Sequence, residues 1–387
     1  MKKLICPKCK KVHLHSIDDK CPGCGSANYK DFRNSDEYLR KEVEVVLEER
    51  RKHGLDGLVG GLNNVIINTE PDRQKAAVEE LIRYTGLNVA EAYEDSDFRT
   101  VVLKTQDSAD FLLRSRKKEN PFLSLNQFPK SEQVPNTRLE MFVFETTDIE
   151  KYVSIQKQRC IEFLTDDIIN SDNFSFIQTV PSAYTGNSIG IIQWHGSKGK
   201  YASPGSSPLD WQFQKPDDSA TKNIKELDHA ATRIRAEDRD AAVIEFMNLT
   251  NYNFDFAIYV KVFNSITNVA RFSSKDFAMV FTSGISPYSD DEKSGPTEKF
   301  VHNYGPRVHH MAFRTEQIEE TVPALSSSGM SFLIDLVGSP KEGLKQIFSC
   351  PSENTLLVNE YIHRYGDFDG FFTKSNVTLL TGATAKQ

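Results

Sequence analysis

A chain of 387 residues with 47 Lys plus Arg against 54 Asp plus Glu has room for about two or three domains with cores of their own. The composition is that of an ordinary globular protein, and a net charge of −7 gives no field that would favour nucleic acid or an anionic membrane, so neither is an expected partner. No apolar run approaches the ~18 residues that span a bilayer, and Met1-Lys2-Lys3-Leu4-Ile5 leads straight into a cysteine motif instead of a signal-peptide core. A soluble, cytoplasmic protein is therefore expected.

Four of the six cysteines fall in the first 24 residues, as Cys6-Pro7-Lys8-Cys9 and Cys21-Pro22-Gly23-Cys24. Paired CxxC knuckles with Pro or Gly inside aim thiolates and backbone amides at one tetrahedral cation, so residues 1–30 read as a zinc-ribbon-like module folded by structural Zn(II). A rubredoxin-like iron site is the other cation that this ligand set takes. Reduced thiolates agree with a cytoplasmic setting. His13 and His15, between the knuckles, are expected to be solvated, and Cys160 and Cys350 need no special role. Residues 31–60 follow as a helical linker: Leu39, Val43, Val46 and Leu47 have helical spacing, and the glycine-rich run from Gly54 to Gly61 reads as a hinge.

The chain then repeats itself. The strand Leu62–Ile67 with the helix from Asp72 matches the strand Leu227–Thr232 with the helix from Asp238, and Arg138–Ile149 matches Arg307–Ile318. Four units of strand, helix and further strands thus fall into two homologous halves, at 61–200 and 222–387, with a Pro/Ser/Gly-rich linker at 201–221. The expected fold is α+β, built from four such units in two halves.

The second half carries the polar residues that a buried strand does not need. Two adjacent imidazoles, His309 and His310, sit at the start of a strand, His229 ends Leu227-Asp228-His229, and Glu360 begins Glu360-Tyr361-Ile362-His363-Arg364. Two histidines and one carboxylate from three strands make a facial metal site with open positions. Strict alternation puts His309 and His310 on opposite faces, so one of the two is the ligand, and spacing alone leaves either open. With Asn187-Ser188-Ile189-Gly190-Ile191-Ile192-Gln193 set against Asn354–Glu360, the first half has Asn64, Met141 and Gln193 where the second has His229, His310 and Glu360. All three candidates change together, which points to one site in the second half and a non-catalytic first half. His302 and His363 read as core or edge residues. Gln346 and Phe348 are candidates for a pocket wall, and Phe371 with Phe372 for a plug or lid.

These residues resemble the 4-hydroxyphenylpyruvate dioxygenase family of the vicinal-oxygen-chelate superfamily, whose βαβββ modules pair into open barrels around a metal. The resemblance rests on Leu227-Asp228-His229, Gly305–Phe313, Gln346-Ile347-Phe348-Ser349, Glu360–Arg364 and Gly370-Phe371-Phe372, and is specific from about 226 to 376. It implies Fe(II) held by His229, His310 and Glu360, which selects His310 over His309. It also implies a 2-oxo acid substrate that chelates the metal beside dioxygen, is oxidatively decarboxylated and is hydroxylated on its aromatic part. Gln346, Phe348 and Phe371 would face that substrate under a closing C-terminal segment. Where the family has Gln before the metal-binding His, this chain has His309, which is therefore expected to contact the substrate and mark a different specificity. Two other readings use the same residues: an isomerase, lyase or extradiol-type enzyme with another divalent metal, or a metal-dependent binding protein whose ribbon contacts a protein partner. A homo-oligomer is compatible with each of the three.

Overall fold

In a computed structural model of the chain, the described residues are 3–5, 12–14, 34–216, 219–366, 368 and 370–387. The zinc-ribbon reading of Cys6, Cys9, Cys21 and Cys24 lies outside them. Strands β1 (Lys3–Ile5) and β2 (Val12–Leu14) pair antiparallel as a two-stranded ribbon. Helix α1 (Asp36–His53) starts with two acidic residues and ends with basic ones, matching the helix dipole at both ends, and stops at Gly54 in the left-handed conformation.

The first half runs β3 (Val59–Asn68), α2 (Gln74–Tyr84), β4 (Asn88–Glu94), β5 (Phe98–Lys104), β6 (Asp110–Arg116), then β7 (Arg138–Thr146), α3 (Ile149–Gln158), β8 (Ile169–Asn170), β9 (Phe174–Gln178) and β10 (Ser188–Trp194). A connection carrying the short β11 (Ser207–Pro208) leads to the second half. That half runs β12 (Ile224–Arg233), α4 (Arg239–Leu249), β13 (Asn253–Val260), β14 (Ser265–Arg271), β15 (Ala278–Gly284), α5 (Pro296–Tyr304), β16 (Arg307–Thr315), α6 (Ile318–Ser327), β17 (Val337–Ser339), β18 (Leu344–Phe348), β19 (Val358–Arg364) and α7 (Lys374–Ala383).

The sheets have the orders β11-β4-β5-β6-β3-β7-β10-β9-β8 and β13-β14-β15-β12-β16-β19-β18-β17. Without the edge strand β11 they have the same plan. In each, the first strands of two modules lie antiparallel at the centre, β3 on β7 and β12 on β16, and each of these also pairs in parallel with the last strand of its own module. The fold is α+β, two mixed sheets curled from four modules. One hydrophobic core joins the halves, with Phe111 stacked on Phe313 and Phe144 set edge-on to Phe246. The starts of the two equivalent strands brace each other reciprocally: Arg138 of β7 donates to the Pro306 carbonyl, and Arg307 of β16 donates to the Thr137 carbonyl.

The glycine-rich run at 54–61 is packed, contrary to the hinge expected there. Leu55, Leu58 and Val59 are buried and Gly60 and Gly61 lie within β3. Helix α1 docks on the second half, where Arg50 donates to the carbonyls of Thr250 and Tyr252 and Asp36 pairs with Arg239. Gly54 and Gly57 take positive φ in the turn after α1, and Gly60 and Gly61 lie at a register shift between β3 and β7, so the run serves local turns and not a hinge.

Register corrects the comparison of the halves at one point. His229 pairs with Ala312 as Asn64 pairs with Val143, and His310 pairs with Ala231 as Met141 pairs with Ile66, so two of the three counterparts stand. Glu360, however, pairs with Ala312, and the residue paired with Val143 is Gly190. The counterpart of Glu360 is Gly190, and Gln193 lies three residues further on. The slip arises in the turn before the strand. Ser182 accepts from the amides of Tyr184 and Thr185, and Ser352 accepts from those of Asn354 and Thr355, so the two serines are equivalent. Matching Asn187 to Asn354 passed over that equivalence.

A second correction concerns His309. Ala231 pairs with His310 but the next residue, Thr232, pairs with Val308, which leaves His309 as the extra residue of a β-bulge. A bulge breaks alternation locally and re-aims the side chain. The rings of His309 and His310 consequently meet, with Nδ1 atoms 2.9 Å apart, instead of pointing to opposite faces.

Candidate metal centre

His229 on β12, His310 on β16 and Glu360 on β19 come from adjacent strands and aim at one point. His229 Nε2 lies 3.1 Å and His310 Nε2 lies 3.3 Å from Glu360 Oε2. One ligand atom from each falls within 4.8 Å of the others, and His229 and Glu360 are essentially inaccessible, at 0% and 1% exposure. Two neighbouring ligands about 2.1 Å from an octahedral cation stand about 3 Å apart, so these separations fit a facial set around one divalent ion.

The second atom of each group is occupied by another residue, which leaves the first free to ligate. His229 Nδ1 bonds Asp228 Oδ1 at 2.7 Å, and Asp228 is held in turn by the two guanidinium nitrogens of Arg364. Glu360 Oε1 accepts from Gln346 Nε2, while Gln346 Oε1 accepts from Asn376 Nδ2 of α7 at 3.1 Å. His310 Nδ1 meets His309 Nδ1, and His309 Nε2 lies 2.8 Å from Gln387 Oε1. If His310 keeps its Nε2 lone pair for a cation, Nδ1–H donates to His309 and His309 Nε2–H donates to Gln387, so one tautomer satisfies the whole row.

Charge follows from these contacts. Burial, with His309, His229 and Arg233 adding to it, holds His310 well below the ordinary histidine range, and burial and Arg233 do the same to His309. Both are neutral imidazoles, the form that binds metal. Burial alone would lower His229 too, but Glu360 and Asp228 override it and push it up to about 9. The two carboxylates thus favour positive charge at His229, which a proton or a neighbouring cation would supply.

The other expected site residues separate. Phe348 lines the cavity, its ring 4.7 Å from that of His310. Gln346 borders the same cavity, but Glu360 and Asn376 hold its amide at both ends, so it orients the carboxylate. His309 has both ring nitrogens engaged, one with His310 and the other with Gln387. Phe371 stands edge-on to His229 at 5.4 Å and lies under the guanidinium of Arg364, while Phe372 is the member of the pair that lines the cavity. His302 stacks on Tyr288 and His363 bonds the Thr315 carbonyl, as core or edge histidines do. Sequence reasoning passed over Arg233, Thr282, Asn376 and Thr384, each beside the cavity or its wall. Only the repeat could have singled out Arg233, which pairs with Arg307 as Asn68 pairs with Arg138.

The equivalent place in the first half is filled. A Cβ on Gly190 would come within 2.7 Å of Met141 Sδ and 2.9 Å of the Phe176 ring and of a Val143 methyl. Met141 and Val143 belong to a closed apolar cluster with Ile66, Leu112 and Tyr201, and Phe176 packs against it. Where the second half presents His229, His310 and Glu360, the first presents packed side chains.

No family model and no curated protein matches the chain. Among solved structures it is similar to a triple mutant of 4-hydroxymandelate synthase from Streptomyces coelicolor, with TM-score 0.62 and 15% identity over 85% of this chain and 99% of that one. It is also similar to a xylose isomerase-like TIM barrel/4-hydroxyphenylpyruvate dioxygenase fusion protein, with TM-score 0.60 and 13% identity over 90% of this chain. The match spans 58% of the fusion's length. At such identities the likeness is one of fold: the two-half, four-module architecture of this chain is the one those proteins share.

Proposed function

We propose that the chain is a non-haem Fe(II) dioxygenase acting on a 2-oxo acid, with His229, His310 and Glu360 as the metal ligands. The observation that carries this reading is the complete donor set, in which Asp228, His309 and Gln346 each occupy the non-ligating atom of one ligand. Two neutral imidazoles and one carboxylate are the facial triad of Fe(II) oxygenases. The two similar structures, a 4-hydroxymandelate synthase and a 4-hydroxyphenylpyruvate dioxygenase fusion, support the same class. Bound iron would supply open positions for a chelating 2-oxo acid and for dioxygen. The protein's part is to fix the ligand tautomers through Asp228 and His309, to orient Glu360 through Gln346, and to keep water out with Phe348, Phe372 and the apolar face of α7. Among the described residues no helix is long and apolar enough to cross a membrane. The four N-terminal cysteines are proposed to hold a separate structural zinc.

Elemental analysis of protein purified without oxygen is expected to give one zinc and one iron per chain. Arylpyruvates are expected to produce a charge-transfer band in the anaerobic iron form and to drive oxygen uptake with matching CO2 release. No band and no oxygen uptake with any 2-oxo acid would overturn the oxygenase reading. Zinc, nickel or manganese in the second-half site would favour an isomerase, lyase or extradiol-type reaction.

A further inference from the structure

Arg233 is the most conspicuous charge near the site that the ligand set does not use. It lies on the face of β12 that also presents His229 and Ala231, four residues from His229 and about 13 Å along the strand. The side chain is 5% exposed and borders the same cavity as His310, Glu360 and Phe348. Its Nη2 donates to Thr384 Oγ1 at 2.8 Å, and its guanidinium lies over the Phe300 ring. Nη1 is buried and bonds nothing, and among the described residues no carboxylate pairs with Arg233. Thr282 stands directly opposite Arg233 on β15, its hydroxyl also buried without a partner, and Thr267 stands opposite Thr282 on β14. All three border the cavity.

A buried guanidinium without a counter-charge is expensive, because the Thr384 bond and the Phe300 ring replace only part of the water it gave up. The fold does not require it: the equivalent strand of the first half has Asn68 at this position. An unpaired guanidinium nitrogen beside an unpaired threonine hydroxyl, at a cavity that His310 and Glu360 also line, is complementary to an oxyanion.

Resting on the oxygenase reading above, we infer that Arg233, with Thr282 and Thr267, binds a second anionic group of the substrate, so that the substrate class is 2-oxo acids bearing a distal carboxylate or similar oxyanion. The 2-oxo acid end meets the metal and the distal anion meets Nη1. An uncharged tail would leave the guanidinium buried and unpaired, which is the strongest basis for rejecting a ligand.

The test is a titration of the anaerobic Fe(II) form of the full chain, read by the charge-transfer band. The probes are two matched pairs: 2-oxoadipate with 2-oxohexanoate, and 4-carboxyphenylpyruvate with 4-methylphenylpyruvate. In at least one pair the charged member is expected to bind ~10–100-fold more tightly, the worth of one charge-assisted hydrogen bond. Arg233→Met is expected to lose that preference while its affinity for the uncharged members stays within about threefold, and Arg233→Lys to retain part of it. Because Arg233→Met removes an uncompensated charge, its thermal midpoint without ligand is expected to equal or exceed that of the unaltered protein; a lower midpoint with equal loss for both members of a pair would assign Arg233 a merely structural role and overturn the inference. Tighter or equal binding of the uncharged members overturns the inference and leaves the oxygenase reading intact. No response to any of the four acids overturns both.

Discussion

Glu360→Gln is expected to lower affinity for a divalent cation by more than ~100-fold, and His310→Ala to do the same, as measured by titrating the metal-free protein with Co(II) and following its visible absorbance. Changing residues that only support a ligand already costs about 10–100-fold, and these two are ligands in the proposed site. The competing account is that His229, His310 and Glu360 form a purely structural ion-pair cluster. Both accounts predict that breaking the cluster costs stability, because a buried charge is left without its partner. They part on the effect of metal. If the cluster is a metal site, Co(II) at about 100 times its Kd adds about 2.7 kcal/mol to the stability of the unaltered protein and nothing to Glu360→Gln. If the cluster is structural, the thermal midpoints of both proteins are indifferent to Co(II). Indifference in the unaltered protein would sink the metal assignment, and with it the proposed function.

The duplicated chain made much of this legible before the structure. Strand–helix units recur with matching polar and apolar positions, and His229 and His310 stand against Asn64 and Met141 in the correct register because strand periodicity carries over intact. Two things were not legible, for different reasons. The bulge at His309 inserts one residue without Gly, Pro or any other local mark, so strict alternation put the two histidines on opposite faces although their rings touch. Glu140 occupies the same bulge in the first half and meets Arg116 at 2.6 Å, so the irregularity belongs to the fold and the residue placed on it differs. The register of β19 was lost in a turn whose left-handed position is Gly186 in one half and Leu356 in the other. A sequence comparison has no reason to equate a glycine with a leucine there. Arg233 was passed over for a third reason: an arginine ending a strand ordinarily reads as a solvent-facing cap, and only its burial and its empty Nη1 set it apart.

Asp228→Asn is expected to weaken metal binding about 10–100-fold, because Asp228 fixes how His229 presents its ligating atom. The carboxylate accepts from His229 Nδ1 and from both terminal nitrogens of Arg364, and the guanidinium is steadied over the Phe371 ring at 5.0 Å. Burial opposes the charge on Asp228, but Arg364 and His229 outweigh burial and hold the carboxyl well below the usual carboxylate range. An asparagine with its oxygen in the place of Oδ1 still accepts from His229 and Arg364 Nη2, yet its amide nitrogen then points a donor at Arg364 Nη1. His229 would consequently lose the negative charge behind its Nδ1–H and the basicity at Nε2 that this charge sustains. Arg364→Met separates the two effects, since it leaves Asp228 charged and in contact with His229, and it should cost less metal affinity than Asp228→Asn. The linkage has a definite sign: a depressed carboxyl contributes stability that is present above its unfolded value of about 3.9 and is lost as pH falls toward the folded value. Acid unfolding of the metal-free protein should therefore begin at higher pH in Arg364→Met than in the unaltered chain, as followed by circular dichroism. Unchanged Co(II) affinity in Asp228→Asn would show that Asp228 and Arg364 merely brace the strands and have no hold on the metal.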